Sequence, residues 1–197
     1  PAAGVQLRQP DRADPPTGCQ GPRLCDPASQ RGSRLPGAGK TGDRAVCAAQ
    51  LPRTASGGIE ADITISCLRE NYFRIICPAL ARSHNKSHIL KNIKKKIRFN
   101  DVTDDLNCIG IFGPNSRIFL TEIFGNFFSK EKFPFATGKF FTIFDNQVWF
   151  QRLSFVGELG WEIYIPKKIT NKIFDVIRKV GKKYNLGYSG MHTLDIL

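Results

Sequence analysis

The sequence predicts an α+β domain built on an antiparallel sheet, and three observations support this fold class. Short segments in which aromatic and β-branched residues alternate with polar ones recur from residue 59 onward, as is typical of strands. Several of these segments are joined by short turn sequences, as in hairpins, and the strands of a hairpin are antiparallel. Three further segments have apolar residues every three or four positions, which predicts helices. Hairpins interleaved with helices favour α+β over a parallel α/β sheet.

The first predicted elements are a hairpin and a helix. Residues 63–68 and 72–77 read as strands joined by the turn Arg69-Glu70-Asn71. Residues 79–97 are predicted to form a helix that packs through one apolar face. The expected inward residues of this helix are Leu80, Ile89, Ile93 and Ile97.

The next elements continue this alternation of strands and helices. A strand is predicted within residues 102–112, and Gly113-Pro114-Asn115-Ser116 opens a helix that runs to about residue 124. Pro114 is tolerated there because the first amides of a helix have no intrahelical partner. Residues 140–144 and 148–156 are predicted to pair around Asp145-Asn146.

The last predicted elements are a strand over residues 161–165 and an amphipathic helix over residues 169–184. The apolar face of this helix is expected to pack against the core. The expected inward residues are Ile173, Phe174, Ile177 and Val180.

The most informative motif is the segment Arg152–Pro166, which reads LSFVGELGWEIYIP after its arginine. We predict two apolar strands folded about the tight turn Gly157-Glu158-Leu159-Gly160. Charged residues at hairpin tips are usually only solvated, which is the simpler interpretation of Glu158. The alternative is a ligand site, because small flanking residues let a flat molecule approach. A carboxylate can accept two parallel N–H bonds from one heterocycle edge.

This motif resembles the strand-turn-strand of the folate-binding aminomethyltransferase family. The family includes the T-protein of the glycine cleavage system and the C-terminal half of sarcosine and dimethylglycine dehydrogenases. The sequence of the motif is nearest to that of these dehydrogenases. A second segment, Gly57-Gly-Ile-Glu-Ala-Asp-Ile-Thr-Ile65, is similar to the family's Gly-Gly-Ile-x-x-Asp-Leu-Thr-Val pattern. Both motifs occur in the family's order, which makes a chance match improbable.

The resemblance implies roles for particular residues. Asp62 corresponds to the family's catalytic aspartate, and Glu158 to the glutamate that binds the pteridine ring of tetrahydrofolate. Arg152, Phe155 and Trp161 would complete the folate-binding residues. The simpler interpretation of Asp62 is an exposed position on an edge strand, where it alternates with isoleucines.

The resemblance covers residues 57–197 and is partial at both ends. Near the C-terminus His192 stands where the family usually has arginine, which puts a contact to the folate tail in doubt. The implied function is transfer of a one-carbon unit to tetrahydrofolate within a sarcosine dehydrogenase-like enzyme, with folate and a methylated amine or aminomethyl donor as partners. FAD would bind only the N-terminal part of a full-length relative, and the chain alone is expected to be inactive. The alternative is a non-catalytic module that binds or regulates.

The first 56 residues differ from the rest of the chain in composition. Residues 1–58 hold 8 of the 12 prolines and none of the 15 phenylalanines. A segment with so few large apolar side chains cannot offset the entropy lost on ordering. We therefore expect residues 1–56 to be disordered and unrelated to the fold.

The net charge of +12 raises the question of nucleic-acid binding. The densest basic run, residues 91–98, is predicted on the outer face of a helix, where solvated lysines are common, and no nucleic-acid module is recognisable. No apolar run reaches the roughly 18 residues of a membrane span. We therefore expect no nucleic-acid or membrane partner, and a location in the cytoplasm if the protein is bacterial or in the mitochondrial matrix if it is eukaryotic.

Cysteine and histidine patterns do not predict a metal site. Cys67, Cys77 and Cys108 lie in apolar runs and read as reduced core residues. His84 and His88 have the i, i+4 spacing of a chelating pair, but no acid accompanies them on the predicted helix. We expect no bound metal.

Overall fold

The computed structural model describes residues 3–8, 44–52, 59–94, 96–154 and 156–190. The chain divides into two compact units, Ala2–Thr103 and Asp104–Leu197. The strands of the first unit are β1 (Ala3–Arg8), β2 (Arg44–Pro52), β3 (Ile59–Arg69), β4 (Tyr72–Cys77) and β5 (Arg98–Asp101), with helix α1 (Arg82–Asn92). Those of the second unit are β6 (Leu106–Phe112), β7 (Thr137–Ile143), β8 (Asn146–Gln151) and β9 (Gly160–Pro166), with helices α2 (Ser116–Phe124) and α3 (Thr170–Gly181).

The first unit is an antiparallel sheet in the order β5-β1-β4-β3-β2. The predicted hairpin of β3 and β4 is confirmed, although β3 begins four residues earlier than expected. Asn71 has φ 58° in the connecting turn, a conformation that asparagine tolerates better than most residues. One face of β3 and β4 packs against Ile89 of α1 to form a small aliphatic core.

The predicted helix over residues 79–97 is only partly correct. A 3-10 turn at Ala79–Ala81 precedes α1, and the helix ends at Asn92 because Ile93 is already extended. The following residues lead into β5, whose backbone pairs with β1, so sheet pairing prevails over the local helical pattern. Leu80, expected in the core, is fully exposed, whereas Ile89 is buried.

Two strands fall within the segment that was expected to be disordered. β1 pairs with β4, and β2 pairs with β3 along most of its length. That expectation therefore does not hold for residues 3–8 and 44–52, because backbone pairing to a neighbouring strand needs no large side chain. Residues 9–43 and 53–58 lie outside the described part of the chain.

The second unit is an antiparallel sheet in the order β7-β8-β9-β6, with α2 and α3 packed on one face. Alternate residues of β8 and β9, such as Phe150 and Ile163, point into this core and meet Leu120 of α2 and Ile177 of α3. The core is unusually aromatic. Phe128 alone lies with its ring centroid 5.6–6.4 Å from those of five others: Phe124, Phe133, Phe141, Phe150 and Trp161.

The predicted helices of this unit are confirmed with small changes. α2 starts at Ser116, two residues after Pro114, and ends at Phe124 as expected. α3 buries Ile173 and Ile177, but Phe174 is 40% exposed, so its assignment to the core is wrong. An offset of one residue turns a helical side chain by about 100°, which moves it away from the buried stripe.

The motif containing Glu158 differs from the hairpin predicted for it. β8 ends at Gln151, so residues 152–154 and 156–159 form no strand, and β9 instead pairs with β8 on one side and β6 on the other. The turn is therefore part of a longer connection between two central strands. The α+β class with antiparallel pairing is nevertheless confirmed.

Candidate functional site

The turn that carries Glu158 is clamped onto the start of α2. The carbonyl oxygen of Leu159 accepts hydrogen bonds from the Gly113 amide at 2.8 Å and from the Ser116 hydroxyl at 3.1 Å. Gly157 has φ 76°, a conformation natural to glycine. Gly160 is required for a different reason, because a Cβ there would lie 2.2 Å from the Phe112 ring. The backbone that presents Glu158 is therefore held on its C-terminal side, at Leu159 and Gly160.

The carboxylate of Glu158 is exposed and lies near this helix start. A Cβ added to Gly113 would be 3.7 Å from Oε2 of Glu158, whereas one added to Gly157 would meet no atom within 4 Å. Glu158 makes no hydrogen bond or ion pair with the residues that the structure describes. It is thus a charged acceptor with open space beside it.

Arg152 and Trp161 lie together at the base of the same connection. The Arg152 Cζ is 5.7 Å from the centroid of the Trp161 ring, and its Nη1 donates to the Phe133 carbonyl at 2.9 Å. Trp161 is completely buried in the aromatic core, so its contribution to a site at the turn is to support it from behind. Phe155, the other aromatic predicted to bind folate, lies outside the described residues.

Asp62 lies in the first unit, on β3. It is exposed and pairs across to Gln50 of β2, while β4 pairs with β3 only from Thr64 onward. β3 is therefore an interior strand of its sheet that becomes an edge at Asp62. This position leaves the carboxylate with no hydrogen bond or ion pair to a described residue.

Arg117 also lies at the base of the Glu158 turn, beside Trp161, and was not predicted from the sequence. Its Cζ is 5.2 Å from the Trp161 ring centroid, and it donates to the carbonyl of Phe128. Burial, and secondarily the nearby Arg117, lower the pKa of Arg152 below its ordinary value. The signal available in the sequence was an arginine in the first turn of a helix that directly follows a strand.

A buried polar chain on the other face of the sheet was also missed. The Trp149 Nε1 donates to Gln151 at 3.0 Å, Gln151 donates to Glu162 at 2.8 Å, and the Tyr164 hydroxyl donates to Glu162 at 2.6 Å. Burial raises the pKa of Tyr164 well above its ordinary value, and Cys108 and Glu162 add to this effect. These hydrogen bonds satisfy polar side chains of β8 and β9. The alternation of residues along a strand does not by itself predict them.

The two helical histidines acquire an acid from a different element. Glu60 of β3 lies 2.9 Å from Nε2 of His84 and 3.5 Å from Nδ1 of His88. Within the described ranges, however, no three His, Cys, Asp or Glu side chains are arranged to hold a metal ion.

The described cysteines Cys67, Cys77 and Cys108 are not in disulfides. No helix in the described part is long and apolar enough to cross a membrane.

Comparison with known proteins identifies the family. Residues 46–197 match the model of the GCVT N-terminal domain. The chain belongs to this family. Human mitochondrial sarcosine dehydrogenase is 35% identical over 158 residues, which cover 72% of this chain and 17% of that protein. The mouse mitochondrial pyruvate dehydrogenase phosphatase regulatory subunit is 26% identical over 146 residues, 71% of this chain and 17% of that protein.

A solved structure supports the fold. The glycine cleavage system aminomethyltransferase T from Bartonella henselae superposes with a TM-score of 0.63 at 16% identity, over 89% of this chain and 43% of that one. The aminomethyltransferase fold predicted from the two motifs is therefore confirmed. The chain spans about a sixth of the length of the curated relatives it matches, and the family match begins at residue 46, inside β2.

Proposed function

We propose that this chain is the tetrahydrofolate-binding part of a one-carbon transfer enzyme of the sarcosine or dimethylglycine dehydrogenase type. The observation that carries the proposal is Glu158. Its carboxylate stands unengaged by described residues on a turn clamped to α2, in a chain that belongs to the GCVT N-terminal domain family. A solvated acid would need no such clamp, whereas an acid that binds a rigid heterocycle gains from being pre-positioned.

The chemistry of Glu158 fits a pterin ring. The edge of such a ring presents neighbouring N–H donors, and a carboxylate accepts two of them in parallel. The open side at Gly157 leaves room for a flat ligand. When bound, tetrahydrofolate supplies the nucleophilic nitrogen that accepts the one-carbon unit.

Asp62 is proposed to act through its negative charge. An exposed carboxylate stabilises positive charge that develops on a nearby nitrogen or on the amine substrate. The edge position on β3 gives it access to such a group without removing a backbone hydrogen bond to β4. Arg152, Trp161 and Phe155 are proposed to shape the folate site, with Arg152 and Trp161 holding the base of the Glu158 turn.

The test uses a chimera of human sarcosine dehydrogenase in which this chain replaces the matching segment. Asp62→Asn keeps the shape and removes the charge, and should slow capture of the one-carbon unit by tetrahydrofolate about 10–1,000-fold with folate affinity little changed. Glu158→Ala should weaken tetrahydrofolate binding by about 1.5–3 kcal/mol, because ring donors lose a charged acceptor. Rates are followed as methylene transfer to folate against formaldehyde release, and affinity by calorimetry.

Asp145→Asn is the matched control. Asp145 is an exposed acid on the β7–β8 turn, outside both motifs, and its replacement should change neither quantity. An Asp62→Asn chimera with an unimpaired transfer rate would overturn the catalytic role. Unchanged affinity in Glu158→Ala would overturn the folate site.

The second candidate is a module of the same fold that binds or regulates without catalysis. It is favoured by the similarity to the pyruvate dehydrogenase phosphatase regulatory subunit, whose name describes no transfer reaction. In that case Glu158→Ala still weakens ligand binding, while Asp62→Asn has no transfer rate to impair. A mitochondrial location is proposed if the protein is eukaryotic, following the relatives' names.

A further inference from the structure

The second unit concentrates positive charge around one buried indole. The guanidinium carbons of Arg117 and Arg152 lie 5.2 Å and 5.7 Å from the centroid of the Trp161 ring, which is completely buried. The indole face attracts each cation, but the two cations repel one another. The lowered pKa of Arg152, caused first by burial and then by Arg117, records this cost.

No described carboxylate forms an ion pair with either guanidinium. Each instead donates to a neutral backbone carbonyl, Arg117 to that of Phe128 and Arg152 to that of Phe133. Glu131 is close enough to sense Arg117, but its pKa is lowered mainly by hydrogen bonds from its own amide and from Ser129, with Arg117 a lesser contributor. This exposed acid therefore does not neutralise the pair.

Three buried polar groups in the same stretch of chain lack a hydrogen-bond partner among the described residues. They are Nε of Arg152, Oγ of Ser154 and Nε1 of Trp161. All three can donate a hydrogen bond. Buried donors in native proteins are nearly always paired, and an orphan group commonly marks an ion or a water. A water would satisfy a donor but would leave both charges uncompensated.

We propose that Arg117, Arg152 and the Trp161 Nε1–H form a binding site for a small oxyanion, a carboxylate or a phosphate. A guanidinium presents its donors in a planar fork that matches the oxygens of either group. The occupant neutralises the two cations and takes up the donors that the protein leaves unpaired. A metal cation is the wrong ligand, because the cluster consists of donors and positive charge. The inference goes beyond the proposed function and needs no folate.

The experiment titrates the full chain with sodium phosphate and, separately, with sodium glutarate, against sodium chloride at matched ionic strength. Binding is measured by calorimetry and by the rise in thermal midpoint. We expect saturable binding of one oxyanion per chain in at least one arm, and the arm that binds more tightly identifies the class. Absence of saturable binding in both arms would overturn the site.

The variants locate the site. Arg117→Met and Arg152→Met keep a long side chain and remove its charge. Each should weaken oxyanion binding about tenfold or more, which raises Kd by at least one decade. Arg178→Met is the control, since Arg178 is an exposed arginine of α3 paired with Asp175 at 3.2 Å, and it should bind as the wild type does. Equal weakening in Arg178→Met would show general charge screening and refute the site.

Trp161→Phe keeps the proposal testable if the arginine variants fail to fold. It keeps an aromatic ring near both guanidiniums, but removes the N–H donor together with part of the indole face. Oxyanion affinity should fall about tenfold or more, because one hydrogen bond to a charged acceptor is lost. Circular dichroism checks that the fold is retained. A folded Trp161→Phe protein with wild-type affinity would remove the indole from the site.

Discussion

The two units solve the problem of core formation differently. Among described residues, the main core cluster of the second unit contains thirteen buried side chains, five of them aromatic, whereas that of the first contains five and no aromatic ring. The first unit relies on backbone pairing, since its five strands are joined in four antiparallel pairs. The second adds a dense interior on which its loops rest.

This difference bears on the two candidate carboxylates. Glu158 is placed by a turn that is bonded to Gly113 and Ser116 and packed, at Gly160, against the Phe112 ring. Asp62 lies near a strand end that, among the described residues, pairs with β2 and not with β4. We infer that the Glu158 turn is the better constrained of the two, whereas Asp62 retains more freedom, which suits the charge stabilisation proposed for it.

The largest effect is expected from removing the centre of the aromatic core. Phe128→Ala should lower the free energy of unfolding by about 3–5 kcal/mol, because a fully buried ring in contact with five others leaves a cavity. Urea unfolding measures the change. Phe127→Ala, at a neighbouring ring that is 53% exposed, is the control and should cost far less. Equal losses would contradict the view that this core, and not general hydrophobicity, holds the second unit.

The next effect tests how tightly the Glu158 turn is held. Gly160→Ala should destabilise by about 1–3 kcal/mol, because its Cβ would overlap the Phe112 ring and approach the Ile111 carbonyl to 2.8 Å. Gly157→Ala meets no atom but needs a positive φ, and should cost about 1–2 kcal/mol. Thermal unfolding of both variants ranks them. A Gly157→Ala protein less stable than Gly160→Ala would show that backbone conformation, and not close packing, limits the turn.

A smaller effect is expected at the clamp itself. Ser116→Ala removes one of two hydrogen bonds to the Leu159 carbonyl, and should cost about 0.5–1.5 kcal/mol of stability. If the clamp positions Glu158, tetrahydrofolate binding by the chimera weakens as well, and Ser116→Thr restores part of it. Ser189→Ala, at an exposed serine, serves as control. Weakened stability with unaltered folate affinity would reduce Ser116 to a structural role.

The smallest effect concerns acid stability and compares the units directly. Burial raises the pKa of Asp101, but hydrogen bonds from Thr103, Arg82 and Lys86 outweigh it and hold this pKa well below its ordinary value. A depressed folded pKa contributes stability that is present above the unfolded pKa of about 4 and is lost as pH falls further. Asp101→Asn should therefore flatten the fall in stability below about pH 4.

Glu122 in the second unit is the matched comparison for this pH dependence. Hydrogen bonds from Lys183 and Tyr184 lower the pKa of this carboxyl too, but the pair is exposed and screened by solvent. Glu122→Gln should change the acid limb of the stability profile less than Asp101→Asn does. The reverse order, measured by urea unfolding between pH 2 and 7, would show that this exposed pair contributes more to acid stability than the hydrogen bonds of Asp101 do.

Much of the fold could be predicted because it is encoded locally. The β3–β4 hairpin, β6, α2, β9 and α3 follow from apolar periodicity and turn residues, and both are visible in short windows of sequence. Two of the errors reflect competition from partners distant in sequence. α1 stops at Asn92 because β5 pairs with β1, and residues 152–154 form no strand because β9 pairs with β6 and β8.

The sequence by itself determined the family and the identity of the two candidate carboxylates, Asp62 and Glu158, because short motifs preserve the residue types that chemistry requires. Only the tertiary structure decided how these residues are held: the Leu159 clamp, the edge position of Asp62, and the meeting of Arg117 with Arg152 on Trp161. The two arginines are 35 positions apart and belong to different elements. Contacts of this kind arise from packing, which depends on the whole chain and cannot be predicted from a short segment of it.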